Sequence, residues 1–256
     1  MTKDNLSGKV TTQICLEIPD KTNPFICAEQ FLAGYNTLSL ATSSTFVDVL
    51  LLLFNLELPS EADRHLLETL MIGLINPGPR HPATKAAMAS GLSKTNAEHI
   101  LPIAASTIGG ERGGAKEVFY AHHFIKNHLD EDVQNLVCTR LHDSAERFAP
   151  GFGTHYGNRD SYIESLSLTI QKHCKTGKHF DWVMALTSCL HEQNSGLLDV
   201  GLAAAIFCDL GIKDRESIGL YQFIRLPGML AHGLEQTRRP VSDVPLLEDE
   251  NYVYTP

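Results

Sequence analysis

The sequence predicts an all-α protein with a short β-hairpin near its N-terminal end. Beyond residue 44, apolar residues recur at helical spacing between turns rich in glycine and proline. Before that point, the β-prone run 10–18 and residues 24–27 predict the two strands of a hairpin. Hydrophobic residues make up 43% and charged residues 20% of the 256 positions, which is typical of a globular protein. We therefore expect a single domain over 1–256.

The predicted helices are bounded by capping residues and by turns of glycine and proline. The run 45–56 is apolar enough for a buried helix, and Ser60 with Asp63 forms a capping box that opens the next one. The sequence Asn-Pro-Gly-Pro at 76–79 ends that second helix, because proline and glycine interrupt helical hydrogen bonding. Further helices are expected at 83–92, 97–108, 115–127, 131–148, 161–174, 180–190, 197–210, 215–223 and 228–236.

The overall charge and the cysteine pattern exclude several classes of function. A net charge of −9 with no basic block argues against a nucleic-acid partner. The longest apolar run, 46–54, is far shorter than the ~20 residues of a membrane-spanning helix, and no apolar signal core follows the polar start. Residues 1–9 are polar and expected to fray. The six scattered cysteines predict reduced thiols in a cytoplasmic protein.

A glycine-rich stretch at 106–117 contains four glycines around Glu111 and Arg112, and a helical run follows at once. Glycine allows positive φ and the close approach of a ligand. A turn that enters a helix also directs free N–H groups at a bound carboxylate or phosphate. The alternative is a glycine-lined corner between two helices that carries a surface ion pair. On this segment alone, both interpretations stand.

A metal site is not predicted. His122, His123 and His128 lie close together in the sequence, but no nearby set of cysteine, aspartate and histidine completes a tetrahedral site. We therefore expect helix-surface histidines at these positions, and neither a metal nor a redox cofactor.

Five motifs occur in order along the chain. They are Asn-Pro-Gly-Pro at 76–79, the glycine stretch at 107–115, Pro-Gly-Phe-Gly at 150–153, the block 225–236, and Arg-Arg-Pro at 238–240. This order of motifs resembles the citrate synthase superfamily. The chain is most similar to the citryl-CoA lyase branch, which includes the C-terminal portion of ATP-citrate lyase. The resemblance covers about 11–254, nearly the whole chain.

The resemblance implies a mostly helical homodimer with a large and a small lobe, the small lobe lying at about 115–215. The active sites of the family are completed across the subunit interface. Its chemistry makes or breaks the bond between acetyl-CoA and oxaloacetate, so a CoA thioester is the substrate and no cofactor stays bound. An aspartate moves the methyl proton, histidines stabilise the enolate and the keto or hydroxyl oxygen, and arginines hold the carboxylates.

Carried onto this sequence, the resemblance assigns carboxylate binding first to Arg225 and Arg239. Arg225 stands in the matching arginine-x-x-glycine motif. Arg239 precedes the matching proline and, in the family, reaches into the site of the neighbouring subunit. Arg159 lies just before the position of a missing family arginine and is expected to supply its positive charge. Glu111 is a further substrate-binding candidate.

The same resemblance locates the acid–base groups. Asp199 matches the family's proton-transferring aspartate, with a plain cap of the following helix as the alternative. His155 lies one position beyond the family's histidine and is the candidate acid/base or substrate-orienting imidazole. Its alternative is a helix-end histidine that binds a backbone carbonyl. Gly151, Phe152 and Gly153 form the expected CoA-binding turn.

The sequence also departs from the family pattern. Pro77 stands where the family has its enolate-stabilising histidine, and proline can neither donate a hydrogen bond nor transfer a proton. His81 follows four residues later, and its position after Pro79 and Arg80 favours a surface role. Arg112 replaces the second histidine of the synthases and is expected to stabilise an oxyanion as a fixed cation.

The sequence therefore predicts a carbon–carbon lyase or Claisen-type enzyme acting on a CoA thioester, with citryl-CoA cleavage to acetyl-CoA and oxaloacetate as the leading reaction. Asp199, His155 and Arg112 are the expected catalytic residues. The alternative is a family member that binds a carboxylate or CoA ligand without this catalysis or with altered chemistry. Pro77 supports that alternative, because loss of the enolate stabiliser costs on the order of 3–4 kcal/mol of barrier.

Overall fold

The computed structural model describes residues 10–140, 143–144, 146–245 and 248–255. Within these ranges the chain forms eleven α-helices and two three-stranded sheets. The prediction of an all-α protein with a short N-terminal β element is confirmed. The fraying expected for residues 1–9 lies outside the described residues, as does part of the helix expected at 131–148. No helix in the described ranges is long and apolar enough to cross a membrane.

The chain divides into two compact units, Met1–Glu68 and Thr69–Pro256, with the boundary inside helix α3. In the first unit, β1 (Cys15–Pro19), β2 (Cys27–Leu32) and β3 (Tyr35–Asn36) form an antiparallel sheet in that order. The second strand of the hairpin therefore runs from 27 to 32 and not over the expected 24–27. Residues before it are held in a turn, because Asp20 Oδ1 accepts hydrogen bonds from the backbone of Thr22 and Asn23.

Three helices follow the sheet: α1 (Thr37–Ser43), α2 (Phe46–Asn55) and α3 (Glu61–Leu74). The sequence did not predict α1, whose first amides are capped by the Asn36 side chain. A capping box between Thr45 and Asp48 opens α2. At α3, the predicted Ser60 cap is confirmed, since Ser60 Oγ accepts a hydrogen bond from the Asp63 amide at 3.2 Å.

The second unit contains the remaining eight described helices. They are α4 (Pro82–Leu92), α5 (Ala97–Thr107), α6 (Ala115–His128), α7 (Val133–Thr139), α8 (Ser161–His173), α9 (Lys178–Leu190), α10 (Asp199–Asp209) and α11 (Asp214–Gln236). Helix α10 is central, because residues 200–208 are all buried. It packs on α6 and α9, while α11 packs on α4, α5 and α6. The small lobe expected at about 115–215 lies within this unit and stays a prediction.

The helix predicted at 131–148 is wrong in its second half. Helix α7 ends at Thr139, and the chain continues into β4 (Arg147–Ala149), which pairs with β5 (Phe152–Gly153) and then β6 (Gly196–Leu197). This sheet corrects the expectation of a single strand region. Phe148 and Phe152 are fully buried, so packing against the helices overrides the helical periodicity of this segment.

Pro227 does not divide the last helix, although the sequence predicted separate helices at 215–223 and 228–236. Helix α11 continues through Pro227, which lacks an N–H, and the next amide finds a partner outside the helix. Gly228 N–H donates to the carbonyl of Ile75 at 3.1 Å, just beyond the end of α3. This tertiary contact ties the part of α11 around Pro227 to the residue that follows α3.

Candidate functional site

Asp199 is the first residue of α10, and two buried side chains of α11 hold its carboxylate. Its Oδ2 accepts hydrogen bonds from the Tyr221 hydroxyl at 2.9 Å and from Arg225 Nη2 at 2.6 Å. The Asp199 side chain is 20% exposed, so a ligand can reach it. Burial raises the pKa of the Tyr221 phenol well above its usual range, and the hydroxyl therefore stays protonated as a donor.

Arg225 joins this carboxylate to the end of α3. It is 6% exposed, and its Nη1 donates to the Leu74 carbonyl at 3.1 Å. Three residues later, the Gly228 amide donates to Ile75. A Cβ at Gly228 would lie 2.6 Å from the Asn76 Cα atom, so only glycine fits this contact. The arginine-x-x-glycine motif therefore binds the carbonyls of Leu74 and Ile75 at the end of α3 and holds the turn that follows.

His81 caps the start of α4, where Pro82 occupies the first turn. Its Nδ1 accepts a hydrogen bond from the Ala83 amide at 3.2 Å, so the neutral ring carries its proton on Nε2. The imidazole is only partly exposed. This differs from the surface role that the sequence favoured, because the ring folds back onto the first turn of α4 to bind the Ala83 amide.

The electrostatic surroundings of His81 connect it with the Asp199 cluster. Burial and then the positive charge of Arg225 lower the pKa of His81 below its usual value. Asp199 and the nearby Gly113 backbone act in the opposite direction, and His155 lowers the pKa slightly further. At neutral pH the His81 ring is therefore an uncharged hydrogen-bond donor near the Asp199 carboxylate.

Three helices begin around Arg225. Asp199 opens α10 and His81 caps α4, while the Asp160 side chain caps α8 by accepting from the Tyr162 and Ile163 amides. Asp160 also acts electrostatically on Arg225. Helix N-termini favour negative charge. Two of these three already carry a carboxylate, whereas α4 presents a neutral imidazole.

The acid and the base of the glycine stretch lie at the surface. Lys116 Nζ donates to Glu111 at 2.5 Å, and Arg112 pairs with Glu146 at 3.9 Å with 67% of its side chain exposed. The stretch reaches the site through Gly113, which has a φ of +65°. Its amide donates to Glu117 Oε2 at 2.5 Å.

The expected CoA-binding turn packs against the start of α10. Gly151, Phe152 and Gly153 are all buried, and Gly151 has a φ of +84°. The Gly151 carbonyl accepts a hydrogen bond from the Leu198 amide at 3.0 Å, immediately before Asp199. A Cβ on Gly151 would lie 2.7 Å from the Cα of Gly201, so the turn and α10 approach as closely as their backbones allow.

The other sequence-predicted ligands lie further out. His155 is exposed and its ring contacts Tyr156 at 4.4 Å between centroids. Arg159 pairs with Glu164 at 3.4 Å. Arg239 is exposed beyond the end of α11, where Lys94 Nζ binds the backbone carbonyls of Thr237 and Arg239.

The structure thus brings Asp199 and Arg225 into direct contact and places His155 within electrostatic reach through His81. It does not bring Glu111, Arg112, Arg159 or Arg239 into that cluster within the single chain. The sequence did not identify Tyr221 or the buried position of His81. Two signals were available: Tyr221 lies four residues before Arg225 on one helix face, and a proline directly after His81 marks a helix start.

A cleft of about 380 Å³ opens beside the turn that follows α3. Its walls are formed by Asn76, Gly228, Ala231, His232, Leu234, Glu235 and Arg238. It begins one helical turn beyond Arg225 along α11, and neither Asp199 nor His81 lines it. The cleft therefore adjoins the Asp199 cluster without containing it.

The histidines of α6 have protein partners. His122 does not lie on the helix surface, where the sequence predicted it, because it is 1% exposed and its Nε2 bonds the Ile212 carbonyl at 3.0 Å. His123 bonds Asp214 at 2.9 Å and His128 bonds the Phe124 carbonyl at 2.8 Å. Across the described ranges, no group of three or more histidine, cysteine, aspartate or glutamate residues is arranged to hold a metal ion.

No protein-family model and no curated protein sequence matches the chain. Solved structures do match the chain. Citryl-CoA lyase from Hydrogenobacter thermophilus matches with a TM-score of 0.77 and 21% identity over 96% of this chain and 94% of that one. ATP citrate lyase from Methanothrix soehngenii, in complex with citrate and coenzyme A, matches with a TM-score of 0.70 and 16% identity over 98% of this chain but 44% of that one.

A more distant match is citrate synthase from Thermoplasma acidophilum, in a ternary complex with carboxymethyl coenzyme A and oxaloacetate. It has a TM-score of 0.61 and 12% identity over 83% of this chain and 57% of that one. At these identities the matches establish the fold. The chain has the helical fold of citrate synthase, in a form similar to citryl-CoA lyase, and the fold that the motifs predicted is confirmed.

Proposed function

We propose that the protein belongs to the citrate synthase superfamily and performs carbon–carbon lyase or Claisen-type chemistry on a CoA thioester. Cleavage of citryl-CoA to acetyl-CoA and oxaloacetate is the leading reaction. One observation carries the proposal: the Asp199 carboxylate stands partly exposed at a helix start, held by Tyr221 and Arg225, with the neutral His81 beside it. The same fold carries this chemistry in the structures named citryl-CoA lyase and citrate synthase.

Asp199 is the proton-transfer group of the proposed mechanism. In the direction of bond formation, its carboxylate takes a proton from the methyl carbon of acetyl-CoA, and an enolate forms. In the cleavage direction, a base removes the proton of the citryl hydroxyl, the carbon–carbon bond breaks to leave a ketone, and protonated Asp199 returns a proton to the enolate carbon. His155 is the candidate base at the hydroxyl. Tyr221 and Arg225 orient the Asp199 carboxylate through Oδ2, and the Val200 amide donates to Oδ1 at 2.8 Å. The remaining lone pair of Oδ1 is the proposed acceptor of the methyl proton.

His81 supplies the hydrogen bond that Pro77 cannot. An Nε2–H donor aimed at the thioester oxygen stabilises the enolate, and a neutral imidazole does so without first giving up a charge. The lowered pKa of His81 and the backbone amide on its Nδ1 support this role. This assignment takes His81 as the replacement for the histidine missing at residue 77.

The remaining ligands are proposed to come from the turn at 151–153 and from a second subunit. Gly151, Phe152 and Gly153 would line the CoA path, and Arg239 of one chain would reach the carboxylates bound by the other. Arg112, Arg159 and Glu111, which lie at the surface of the single chain, would contact substrate in such a homodimer. CoA is a substrate carrier in this reaction, and no bound cofactor is required.

The proposal is tested by incubating the protein with acetyl-CoA in heavy water and following deuterium in the methyl group by mass spectrometry. Exchange above that of a protein-free sample, together with release of oxaloacetate from citryl-CoA, is the expected result. Exchange requires only enolisation, so it does not depend on the identity of the second substrate. Absence of both activities in a protein that is folded by circular dichroism rejects the enzymatic proposal.

A second candidate is a member of the superfamily that binds a carboxylate or CoA ligand without this catalysis. Two observations favour it: Pro77 occupies the place of the family's histidine, and the Arg225 guanidinium is already bound to Asp199 and Leu74. Such a protein would gain thermal stability with citrate or CoA and yet exchange no deuterium, because a ligand that binds the folded state raises the melting temperature.

A further inference from the structure

Glu117 is a buried carboxylate that the proposed chemistry does not use. It lies in the first turn of α6 and is 3% exposed. Its Oε2 accepts from the Gly113 amide at 2.5 Å, while its Oε1 accepts from the Gly151 amide at 3.2 Å and from Arg147 Nε at 3.0 Å. A charge is rarely buried without such partners, because its desolvation is costly. Glu117 therefore joins two turns that are far apart in the sequence.

One of these two turns bonds the start of α10, and the other lies beside His81. The Gly151 carbonyl accepts from the Leu198 amide, and Leu198 directly precedes Asp199. The Gly113 backbone lies near enough to His81 to act on the pKa of its ring. Hydrogen bonds and one peptide link thus connect Gly113, Glu117, Gly151, Leu198 and Asp199, and His81 lies next to the first member of this path.

The Gly151 turn is closely packed and has little freedom to compensate for a change at Glu117. Gly113 and Gly151 have φ values of +65° and +84°, a region that side-chain-bearing residues rarely adopt. Gly151 also packs backbone to backbone on Gly201, where an added Cβ at either glycine would meet the other. The carboxylate oxygens of Glu117 consequently set the spacing between the two turns.

From this geometry we infer that Glu117 is a positioning residue, which fixes the His81 imidazole relative to the Asp199 carboxylate. The inference deepens the function proposed above and rests on it. Glu117 touches no substrate atom. Its effect arises because proton transfer and enolate stabilisation need both groups at one carbonyl, and a displacement of about 1 Å can lower a rate about 100-fold.

The test uses Glu117→Gln, which keeps the size of the side chain. An amide has one acceptor oxygen and one donor nitrogen. Whichever way the amide group is oriented, its nitrogen faces the N–H of either Gly113 or Gly151. One of these two hydrogen bonds is therefore lost. We expect the rate of acetyl-CoA methyl exchange to fall about 10- to 100-fold, with the KM for acetyl-CoA within about threefold of wild type. The NMR signals of the His81 ring, assigned with His81→Asn, should shift.

Asp209→Asn is the matched control for loss of a buried carboxylate. Asp209 Oδ1 and Oδ2 accept from the amides of Gly177, His179 and Phe180 at the start of α9, and the side chain is 5% exposed, like that of Glu117. Helix α10 begins at Asp199 and ends at Asp209, so at 1.5 Å per residue the two carboxylates are about 15 Å apart. This variant should lose thermal stability, keep exchange within about threefold, and leave the His81 signals in place.

The inference is overturned if Glu117→Gln exchanges at the wild-type rate, or if Asp209→Asn loses as much exchange as Glu117→Gln. If wild type exchanges no deuterium, the proposed function fails by itself, and Glu117 is then judged on the His81 signals alone. A shift in Glu117→Gln that is absent from Asp209→Asn supports the positioning role, whereas unmoved His81 signals reject it.

Discussion

Arg225 binds Asp199 and Leu74 with the two ends of one guanidinium, at 2.6 Å and 3.1 Å. The same side chain therefore balances the charge of the carboxylate at the start of α10 and caps the last carbonyl of α3. Arginine suits this position because its planar group keeps its charge when buried and donates in two directions. Substitutions at either end of this contact should consequently affect both stability and ligand binding, and the variants below separate the two effects.

Asp199→Asn should lower the rate of methyl exchange or of citryl-CoA cleavage by roughly 10²–10⁴, because asparagine cannot accept a proton. The amide still accepts from Tyr221 and Arg225, but it leaves the buried guanidinium without its counter-charge. We expect a loss of about 1.5–3 kcal/mol in the free energy of unfolding, the usual worth of a hydrogen bond to a charged group. The exchange assay measures the change in rate, and urea unfolding measures the change in the free energy of unfolding. Wild-type exchange in this variant would mean that another group is the base.

Arg225→Ala should remove the rise in melting temperature that citrate or oxaloacetate gives to wild type. It should also destabilise the free protein by about 3–5 kcal/mol, because Asp199 loses its buried partner. Arg64→Ala is the control for loss of an arginine, since Arg64 pairs with Asp48 in the first unit. Equal stabilisation of Arg225→Ala and wild type by these acids would show that Arg225 does not bind the ligand.

Stability should fall as the pH drops below about 6.5, the ordinary pKa of histidine. Burial lowers the pKa of both His81 and His122, so the unfolded chain binds protons that the folded chain does not. The contribution of each neutral ring is complete above pH 6.5 and is lost as the pH falls through its folded value, by at most about 1.4 kcal/mol per pH unit. His122→Gln should flatten this slope in urea unfolding between about pH 6.5 and 5. The exposed His99→Gln should not, and an unchanged slope in His122→Gln contradicts the prediction.

Gly228→Ala should destabilise the protein by about 1–3 kcal/mol, as overpacked sites do. The added Cβ would lie 2.6 Å from both the Asn76 Cα and the Ile75 carbonyl oxygen. Gly219→Ala in the same helix is the matched control, because no atom lies within 4 Å of its Cβ position. That variant should gain up to about 1 kcal/mol from the better helix propensity of alanine. The two melting temperatures should therefore move in opposite directions, and a common direction would contradict the close contact.

Light scattering should report a homodimer of roughly 56 kDa, twice the 28.2 kDa chain. The proposed function requires Arg239 of one chain at the site of the other, and the C-terminal segment is suited to an interface because Tyr252, Val253 and Tyr254 are 68%, 79% and 77% exposed. A chain ended after residue 251 should dissociate more readily. A stable, fully active monomer would rule out a shared site.

The sequence located most helices because their ends carry local signals. Ser60, Thr45 and the prolines at 77 and 79 act within a few residues, and the structure keeps each of these boundaries. The strands β4 to β6 were missed for the opposite reason. They are two or three residues long, too short for an alternating pattern, and pairing between distant segments forms them. Pro227 misled the prediction for a similar reason, since the Gly228 amide beside it bonds Ile75, which is distant in the sequence.

The sequence predicted which residues form the site better than it predicted how they are arranged. The motif resemblance named Asp199 and Arg225, which the structure joins directly. It did not reveal that Arg225 is bound by protein groups on two sides, because those groups come from α3 and α10. His81 was assigned to the surface because its burial depends on tertiary packing, which a local pattern does not show. The proposed substrate contacts of Arg112 and Arg239 stay predictions.

The contact between Leu74 and Arg225 closes a loop of 151 residues. Loop closure costs conformational entropy that grows with loop length, and contacts between distant residues form slowly. The guanidinium that compensates Asp199 also lies in the last long helix, which leaves the ribosome after α3 to α10. A nascent chain thus carries Asp199 before its counter-charge exists. The Asp199–Arg225 pair can therefore form only after α11 has been synthesised, when α3 to α10 are already present.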